Sequence, residues 1–311
     1  MIQNVSFTVS AAEAGERLDS LLTARFPTSS RAFCRCAIEE GHVTINNAPC
    51  LKGLKLRAND TVCVQTLVEQ QDNRVLPAPD MDVTLVYCDE ALIAASKPAG
   101  QAVHPNSCTE RDTLMNGLVA RYPELADIGD QPLMAGALHR IDGETSGLVL
   151  AARTPAAFQS LRNQFVAQSV RKIYLALVEG HVQRSGLLKH SLAHHPKFRG
   201  KMVDAKTLTA PDRTLYAETA YEPLERLGPY TLLKITIFTG VTHQIRCQLS
   251  LAGYPIVNDT LYGARPLPNS TRHYLHAAEA HLLHPLTGEP LIVTAPLTPD
   301  FTALIAQLKG N

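Results

Sequence analysis

The feature that most constrains the fold is a polar, proline-containing segment at 68–82, because it separates two stretches with different residue patterns. Its two prolines disfavour regular elements, and its polar composition is typical of a linker. A chain of 311 residues is long enough for about two domains, each with its own hydrophobic core. The sequence therefore predicts a small module at 15–67, a linker at 68–82 and a larger domain at 83–311.

The small module has the pattern of two short helices followed by a hairpin. Three leucines recur at helical spacing after residue 17, and the proline and serines at 27–30 end this helix and cap a second one. Alternating residues at 42–46 predict a strand, and Asn46 and Asn47 can adopt the positive φ of a tight turn.

The larger domain mixes strands and helices without regular alternation, which predicts an α+β fold around a mixed, largely antiparallel sheet flanked by helices. Strands are predicted at 83–87, 91–95, 147–152, 172–182, 215–222 and 230–238, and helices at 112–122, 154–168, 242–253 and 300–309.

Composition narrows the class of protein without identifying it. Lys and Arg together number 29 and so do Asp and Glu, so no overall charge attracts a polyanion. No apolar run approaches the roughly 20 residues that span a bilayer, and the first residues lack the pattern of a secretory signal. The seven cysteines contain no CxxC pair, so we expect a cytoplasmic protein with reduced thiols and no metal site built from thiolates.

The stretch HRIDGETSG at 139–147, directly before an apolar strand, is the most informative one for chemistry. It places Asp142 beside a cation, two hydroxyls and two glycines, a setting that keeps a carboxylate ionised and available as nucleophile or base. A surface turn whose aspartate accepts hydrogen bonds from backbone amides has the same composition, and composition alone favours that interpretation.

Two further stretches hold polar residues where an element begins. In TGVTHQIR at 239–246, Thr242 is the predicted N-cap, and Arg246 is expected to project sideways from the first helical turn as a solvated arginine. Tyr174, in the KIY that opens a strand, is expected to pack half-buried or to present an aromatic face to a base.

Six blocks together resemble one family, the RluA-type pseudouridine synthases, which isomerise uridine to pseudouridine in ribosomal or transfer RNA. They are HRIDGETSG, KIYLALVEG, TGVTHQIR, KPAGQAVHP, DTLYG and LHAAEAHLLHPLTGE. The resemblance covers about 83–299, and 15–67 resembles an S4 RNA-binding module through ERLDSLL, SSRAF and EEGHVTINN. It implies a pseudouridine synthase catalytic domain preceded by a small α/β S4-like module, the arrangement of the family's ribosomal RNA enzymes.

Carried over position by position, the resemblance implies roles for eight residues. Asp142 resembles the essential aspartate, Arg246 the arginine that pairs with it, and Tyr174 the tyrosine that stacks on the target base. Arg140 resembles the arginine that enters the space left by the extruded uridine. The other motif positions expected to contact substrate are His139, Thr145, Lys172 and His243.

The implied reaction breaks the N1–C1′ bond, rotates the uracil and rejoins it through C5, so it requires no cofactor and no metal. The uridine has to leave its stack to reach a buried carboxylate. Asp142 then attacks C6, attacks C1′ or removes a ribose proton, and the sequence leaves these routes open. Tyr174 or a water can take the proton that leaves C5. We expect a monomer that acts on large-subunit ribosomal RNA without a membrane or an obligate protein partner, with transfer RNA as the alternative substrate.

The chain also departs from the family's pattern near the site. Val241 stands where the family usually has arginine, and Cys247-Gln248 where it usually has Val-His, which predicts altered RNA contacts. Lys97 begins the KP block, which we expect to shape the site rather than to react.

Three other interpretations of the sequence are weighed against this one. Asp142 and Glu144 could form the acid/base pair of a hydrolase, but residues two apart in an extended segment point to opposite faces. A catalytically silent RNA-binding protein would have no reason to retain HRIDGETSG together with THQIR. The histidines around 194 have only Asp204 as a nearby acidic partner, which disfavours a metal site.

Although the net charge is zero, positive and negative side chains are concentrated in different segments of the chain. Cations exceed acids by four at 189–206, which includes Arg199, whereas 80–90 holds four acids and no cation. If the RNA-facing surface is only modestly basic, RNA shape governs substrate choice more than bulk attraction does, and the affinity should depend only weakly on salt.

Overall fold

A computed structural model describes residues 1–198, 200–211 and 213–310 and divides them into two compact units. The first unit comprises Met1–Arg74 with Asn106–Thr109, and the second comprises Val75–Pro105 and the chain from Glu110 onward. The domain boundaries at 15–67, 68–82 and 83–311 remain predictions. Among the described helices, none combines the length and the apolar character needed to cross a bilayer.

The first unit contains two helices and four strands, which are β1 (Ile2–Thr8), α1 (Leu18–Arg25), α2 (Arg31–Glu39), β2 (Val43–Ile45), β3 (Ala48–Pro49) and β4 (Thr61–Leu67). The helices pack on an antiparallel sheet with the strand order β1-β4-β2-β3. Ser30 caps α2 by accepting a hydrogen bond from the Phe33 N–H, as predicted. Asn46 and Asn47 adopt φ of 51° and 63° in the predicted turn. Strand β1 was not predicted, because most of its residues are at least partly exposed at a sheet edge.

The second unit is built on a ten-stranded mixed sheet. Its elements are β5 (Thr84–Cys88), β6 (Leu92–Lys97), α3 (Leu114–Arg121), β7 (Ser146–Ala152), α4 (Pro155–Val166), β8 (Arg171–Glu179), β9 (Gly186–His194), β10 (Met202–Asp204), β11 (Leu215–Leu227), β12 (Tyr230–Ile237), α5 (Gln244–Leu251), β13 (Leu275–Leu283), β14 (Pro290–Thr294) and α6 (Pro299–Gly310). This confirms the predicted α+β class.

The strand order of this sheet is β10-β9-β11-β12-β8-β13-β7-β6-β5, and β14 pairs with β13. Every pairing between the named strands is antiparallel except that of β7 with β13, so the sheet is largely antiparallel, as predicted. Strand β7 is buried along its whole length, as its apolar run predicts, and Thr154 caps α4 by accepting from the Ala157 N–H.

Strands β9, β10, β13 and β14 are elements of the second unit that the sequence did not predict. Strand β13 lies in the histidine-containing block, and its imidazoles are paired within the fold. His276 accepts or donates a hydrogen bond at 2.9 Å from the Ser146 hydroxyl and contacts the Ala295 carbonyl at 3.2 Å. Polar side chains that find partners inside a sheet do not produce the apolar alternation by which a strand is recognised.

Candidate active site

A cavity of about 660 Å³ in the second unit contains all eight residues to which the resemblance gives a role. The loop before β7 supplies four of them, β8 supplies two, and the start of α5 and the residue before it supply two. They are His139, Arg140, Asp142, Thr145, Lys172, Tyr174, His243 and Arg246. The fold thus brings together residues that are more than 100 positions apart in the chain.

The centre of this cavity is an arginine held between two carboxylates. Arg246 Nη1 donates to Asp142 Oδ2 at 2.9 Å, while its Nε and Nη2 donate to Asp259 Oδ2 and Oδ1 at 2.7 and 2.9 Å. Arg246 is 8% exposed, so the prediction of a solvated arginine was wrong. Although burial opposes it, pairing with the two carboxylates raises the pKa of Arg246, so the guanidinium stays charged.

Sequence reasoning assigned no role to Asp259 or to Tyr262, although both lie in the DTLYG block. Asp259 is 2% exposed, and the face of the Tyr262 ring lies 5.1 Å from the Arg246 guanidinium carbon. The signal that could have revealed Asp259 is chemical. A buried guanidinium has five N–H donors, and Asp142 alone cannot satisfy them.

His243 occupies the N-cap position of α5, so the prediction of Thr242 at this position was wrong. Its φ of 51° is left-handed, and its side chain makes no capping bond. Instead, its Nδ1 lies 3.0 Å from the Tyr262 hydroxyl and its Nε2 lies 3.8 Å from Asp142 Oδ2. Burial lowers the pKa of His243, so the imidazole is neutral at pH 7.

Buried amides fix α5 against the sheet. The Gln244 side-chain oxygen accepts from the Val241 N–H and the Thr239 hydroxyl, which replaces the predicted cap. Gln248, a departure from the family's pattern, accepts from the Thr219 hydroxyl at 2.7 Å and donates to backbone carbonyls of β9 and β11. Val241 lines the cavity and packs against a small apolar cluster, so no cation occupies this position.

The side-chain amino group of a buried lysine anchors the loop that carries Asp142. Lys97 has no exposed surface, and its Nζ donates to the carbonyls of Pro98, Gln101 and Gly143 at 2.7, 2.7 and 2.9 Å. Burial lowers the pKa of Lys97 to about 7. All of its contacts go to backbone oxygens, which agrees with the expected role in shaping the site.

Thr145 also stabilises the loop that carries Asp142. Its N–H donates to the Asp142 carbonyl at 3.0 Å, and its hydroxyl lies 2.8 Å from His273 Nε2. Burial lowers the pKa of His273 to about 4, so the ring is neutral at pH 7. Thr145 therefore holds the loop by two bonds, while Arg140 in the same loop is exposed at the cavity wall.

Tyr174 and Lys172 extend from β8 into the cavity. Tyr174 is 7% exposed, and burial together with the nearby negative charge of Asp142 raises its pKa, so the hydroxyl is protonated at neutral pH. Lys172 Nζ donates to the Thr239 carbonyl at 3.0 Å, and burial lowers its pKa to about 8.

His139 packs under the cavity wall. Its ring stacks on Phe165 with centroids 5.4 Å apart, and its Nε2 accepts from the Leu150 N–H at 3.1 Å. Burial, with the positive charge of Lys172, lowers the pKa of His139 to about 3. These contacts indicate that His139 stabilises the loop that carries Asp142 by packing against Phe165 and the backbone of β7.

The arrangement can present one carboxylate to a flat, uncharged ring beside a buried aromatic side chain. Glu144 is exposed and does not line the cavity, which argues against a shared acid/base site with Asp142. Among the described residues, no group of three or more His, Cys, Asp or Glu side chains is arranged to hold a metal ion.

Comparisons with known proteins match both units. The family model for RNA pseudouridylate synthase matches residues 91–251, and the S4 domain model matches residues 16–62. A protein of Chloroflexus aurantiacus described as an uncharacterized RNA pseudouridine synthase is 37% identical, over 96% of this chain and 92% of its own. Ribosomal large subunit pseudouridine synthase D is 33% identical in Neisseria meningitidis serogroup B, over 98% and 82% of the two chains. In Pseudomonas aeruginosa the synthase of that name is 34% identical, over 96% and 93%.

Solved structures agree with the fold over about three quarters of the chain. Human RNA pseudouridylate synthase domain containing 1 superposes with a TM-score of 0.58 at 24% identity, covering 76% of this chain and 98% of that one. Human RNA pseudouridylate synthase domain containing 4 gives a TM-score of 0.57 at 22% identity, over 73% and 93%. At these identities the likeness supports the fold alone.

Proposed function

We propose that this chain, which belongs to the RNA pseudouridylate synthase family, isomerises specific uridines of large-subunit ribosomal RNA with Asp142 as the catalytic carboxylate. Membership makes it an RNA pseudouridine synthase and confirms the resemblance drawn from its motifs. The S4 domain match confirms the RNA-binding module. The names of the relatives in Neisseria and Pseudomonas support the choice of large-subunit ribosomal RNA.

The observation that carries the assignment of Asp142 is its ion pair with Arg246 inside the cavity. A guanidinium at 2.9 Å pairs with the carboxylate and fixes the direction of its oxygens. The Asp142 side chain keeps 21% of its surface exposed, so a substrate can reach it. Asp259, at 1% side-chain exposure, can only hold the arginine.

The target uridine has to be extruded from its stack, at a cost of roughly a few kcal/mol. We expect the buried Tyr174 ring to offer a new stacking face and the exposed Arg140 to enter the vacated space. The N1–C1′ bond then breaks, C5 bonds to C1′, and the C5 proton leaves. Since Tyr174 has a raised pKa and is protonated at neutral pH, a water held by Asp142 is the better base for that last step.

The test is Asp142→Asn, which keeps the size of the side chain and removes its charge. We expect RNA binding to persist and tritium release from [5-³H]uridine-labelled large-subunit ribosomal RNA to disappear. Turnover near the wild-type rate would refute the assignment.

The RNA substrate is tested separately. Pseudouridine mapping of ribosomal and transfer RNA from a deletion strain should show sites missing from large-subunit ribosomal RNA, restored by the wild-type gene and not by Asp142→Asn. Sites missing only from transfer RNA would redirect the proposal to that substrate, and an unchanged map would indicate a catalytically silent homologue.

A further inference from the structure

Two aromatic side chains of the cavity remain without a role in the proposed chemistry. Tyr216 is 54% exposed and Phe238 is 43% exposed, whereas Tyr174 in the same cavity is 7% exposed. Singly exposed aromatic residues are common on protein surfaces, but these two line one cavity together with Asp142. The rings of Tyr216 and Phe238 therefore lie nearer to solvent than the ring of Tyr174, which lies deeper in the cavity.

The Tyr216 ring is held through its hydroxyl, and the chain next to Phe238 is held through Thr239. The Tyr216 hydroxyl donates to Glu218 at 2.6 Å, and Glu218 is paired with Lys189 at 3.0 Å. Phe238 follows the last residue of β12 and precedes Thr239, whose hydroxyl is bound to Gln244 at 2.8 Å. A ring held in one place loses little conformational entropy when a ligand stacks on it.

The charge of the cavity wall suits a chain of phosphates. Among the described residues, its lining includes five cationic side chains and one carboxylate, Asp142; the cations are Arg140, Arg162, Lys172, Arg213 and Arg246. Arg246 is neutralised by its two aspartates and Arg162 is paired with Asp130, whereas Arg140 and Arg213 are exposed. The volume of about 660 Å³ is also more than a single uracil ring requires.

We propose that Tyr216 and Phe238 form stacking subsites for the bases of the nucleotides that flank the target uridine, with Arg213 at an intervening phosphate. The inference rests on the proposed function, which places the uridine itself at Asp142. Stacking on aromatic side chains accepts any base, so these subsites contribute affinity and orientation and recognise single-stranded, splayed nucleotides rather than a sequence.

A fluorescence experiment tests the subsites without turnover. The chain has no tryptophan, so Phe238→Trp introduces a single indole. Phe198→Trp is the matched control, because Phe198 is 61% exposed in the same unit and does not line the cavity. Titration with single-stranded oligouridylate should quench the tryptophan at 238 and leave the one at 198 unchanged. Absence of quenching at 238, or equal quenching at both positions, would overturn the proposal.

A kinetic experiment tests the same subsites during catalysis. Tyr216→Leu and Phe238→Leu should each raise KM for unmodified large-subunit ribosomal RNA by about 5-fold or more, with a smaller change in kcat. Tyr216→Phe keeps the ring and should give a smaller rise, and Phe198→Leu is the control. KM unchanged in both leucine variants would contradict the inference.

The two proposals fail in different ways. Phe238→Trp in an Asp142→Asn background should be quenched like Phe238→Trp alone. Persistent turnover in Asp142→Asn with this quenching intact would refute the catalytic assignment and leave the subsites standing. Loss of turnover in Asp142→Asn, with no quenching of the tryptophan at 238, would support the catalytic assignment and refute the subsites.

Discussion

At the scale of single residues, the site depends on how Arg246 is divided between two carboxylates. Asp259 takes its Nε and Nη2, so Nη1 is directed at Asp142. A bidentate pair fixes the plane of a guanidinium, and a buried arginine without its partner would carry an uncompensated charge. We therefore expect Asp259 to act as a positioning residue that sets the orientation of Asp142 through the arginine.

Asp259→Asn tests this arrangement, because the amide keeps the size of the side chain and loses the charge. We expect kcat to fall on the order of 100-fold, since small misplacements of reacting groups have effects of this size, while KM changes little. Asp300→Asn is the matched control. Asp300 also pairs with a buried arginine, Arg272, at 2.6 Å, and neither lines the cavity. A normal kcat in Asp259→Asn would exclude the positioning role.

Lys172 should make RNA affinity sensitive to pH. Burial holds the pKa of its ammonium group at about 8, below the ordinary value for lysine, so the group is charged below that pH and neutral above it. We expect KM for RNA to rise as the pH increases from 7 to 9. Lys172→Arg retains its charge throughout this range and should flatten the profile. An equally steep rise in the arginine variant would assign the effect to another group.

At the scale of elements, the site depends on the parallel contact of β7 with β13. Gly147 is the second residue of β7, and its φ is 108°. A Cβ at this position would lie 2.2 Å from the Ala277 carbonyl oxygen, so only glycine permits the two strands to approach this closely. The loop that carries Asp142 leads directly into this pair, and its geometry follows from the pairing.

Gly147→Ala should therefore lower the free energy of unfolding by about 2–5 kcal/mol, through backbone strain and the clash with a carbonyl that cannot move alone. Urea denaturation measures this change. Gly143→Ala is the control, because a Cβ there meets no atom within 4 Å and its φ is not positive. Equal stability of the two variants would show that the β7–β13 contact is adjustable.

At the scale of the whole molecule, equal numbers of positive and negative side chains accompany a cationic cavity. Within the basic stretch at 189–206, Lys189 pairs with Glu218 and Lys201 lies over the Tyr262 ring at 5.6 Å, while Arg199 lies outside the described residues. Two of the four described lysines in this stretch are thus engaged within the fold. We expect attraction of RNA to depend mainly on a few exposed cations of the cavity wall.

The salt dependence of RNA binding measures how many cations of the protein contact phosphates. We expect log K against log salt to have a slope of about −2 or shallower, since each phosphate contact to single-stranded RNA contributes about −0.7. Arg213→Gln should make the slope shallower by about 0.7. Lys309→Gln is the control, because Lys309 pairs with Glu225 at 2.8 Å and lies outside the cavity lining. A much steeper slope, or one unaffected by Arg213→Gln, would contradict this account.

Features that act over a few residues could be predicted from the sequence. Ser30 and Thr154 cap their helices because the donors they satisfy lie three residues away, and β7 is buried because seven consecutive residues suit a core. The motif blocks likewise identified the eight residues of the cavity. Strand β13 escaped prediction because the partners of its histidines belong to other elements.

The sequence by itself determined the family, the α+β class and the residue types of the site. Only the tertiary structure decided that Arg246 is buried, that His243 replaces Thr242 at the start of α5 and that Asp259 completes the ion pair. The physical reason is that a charged side chain is solvated unless partners surround it. Those partners come from loops 13 and 104 residues away, which no local pattern joins.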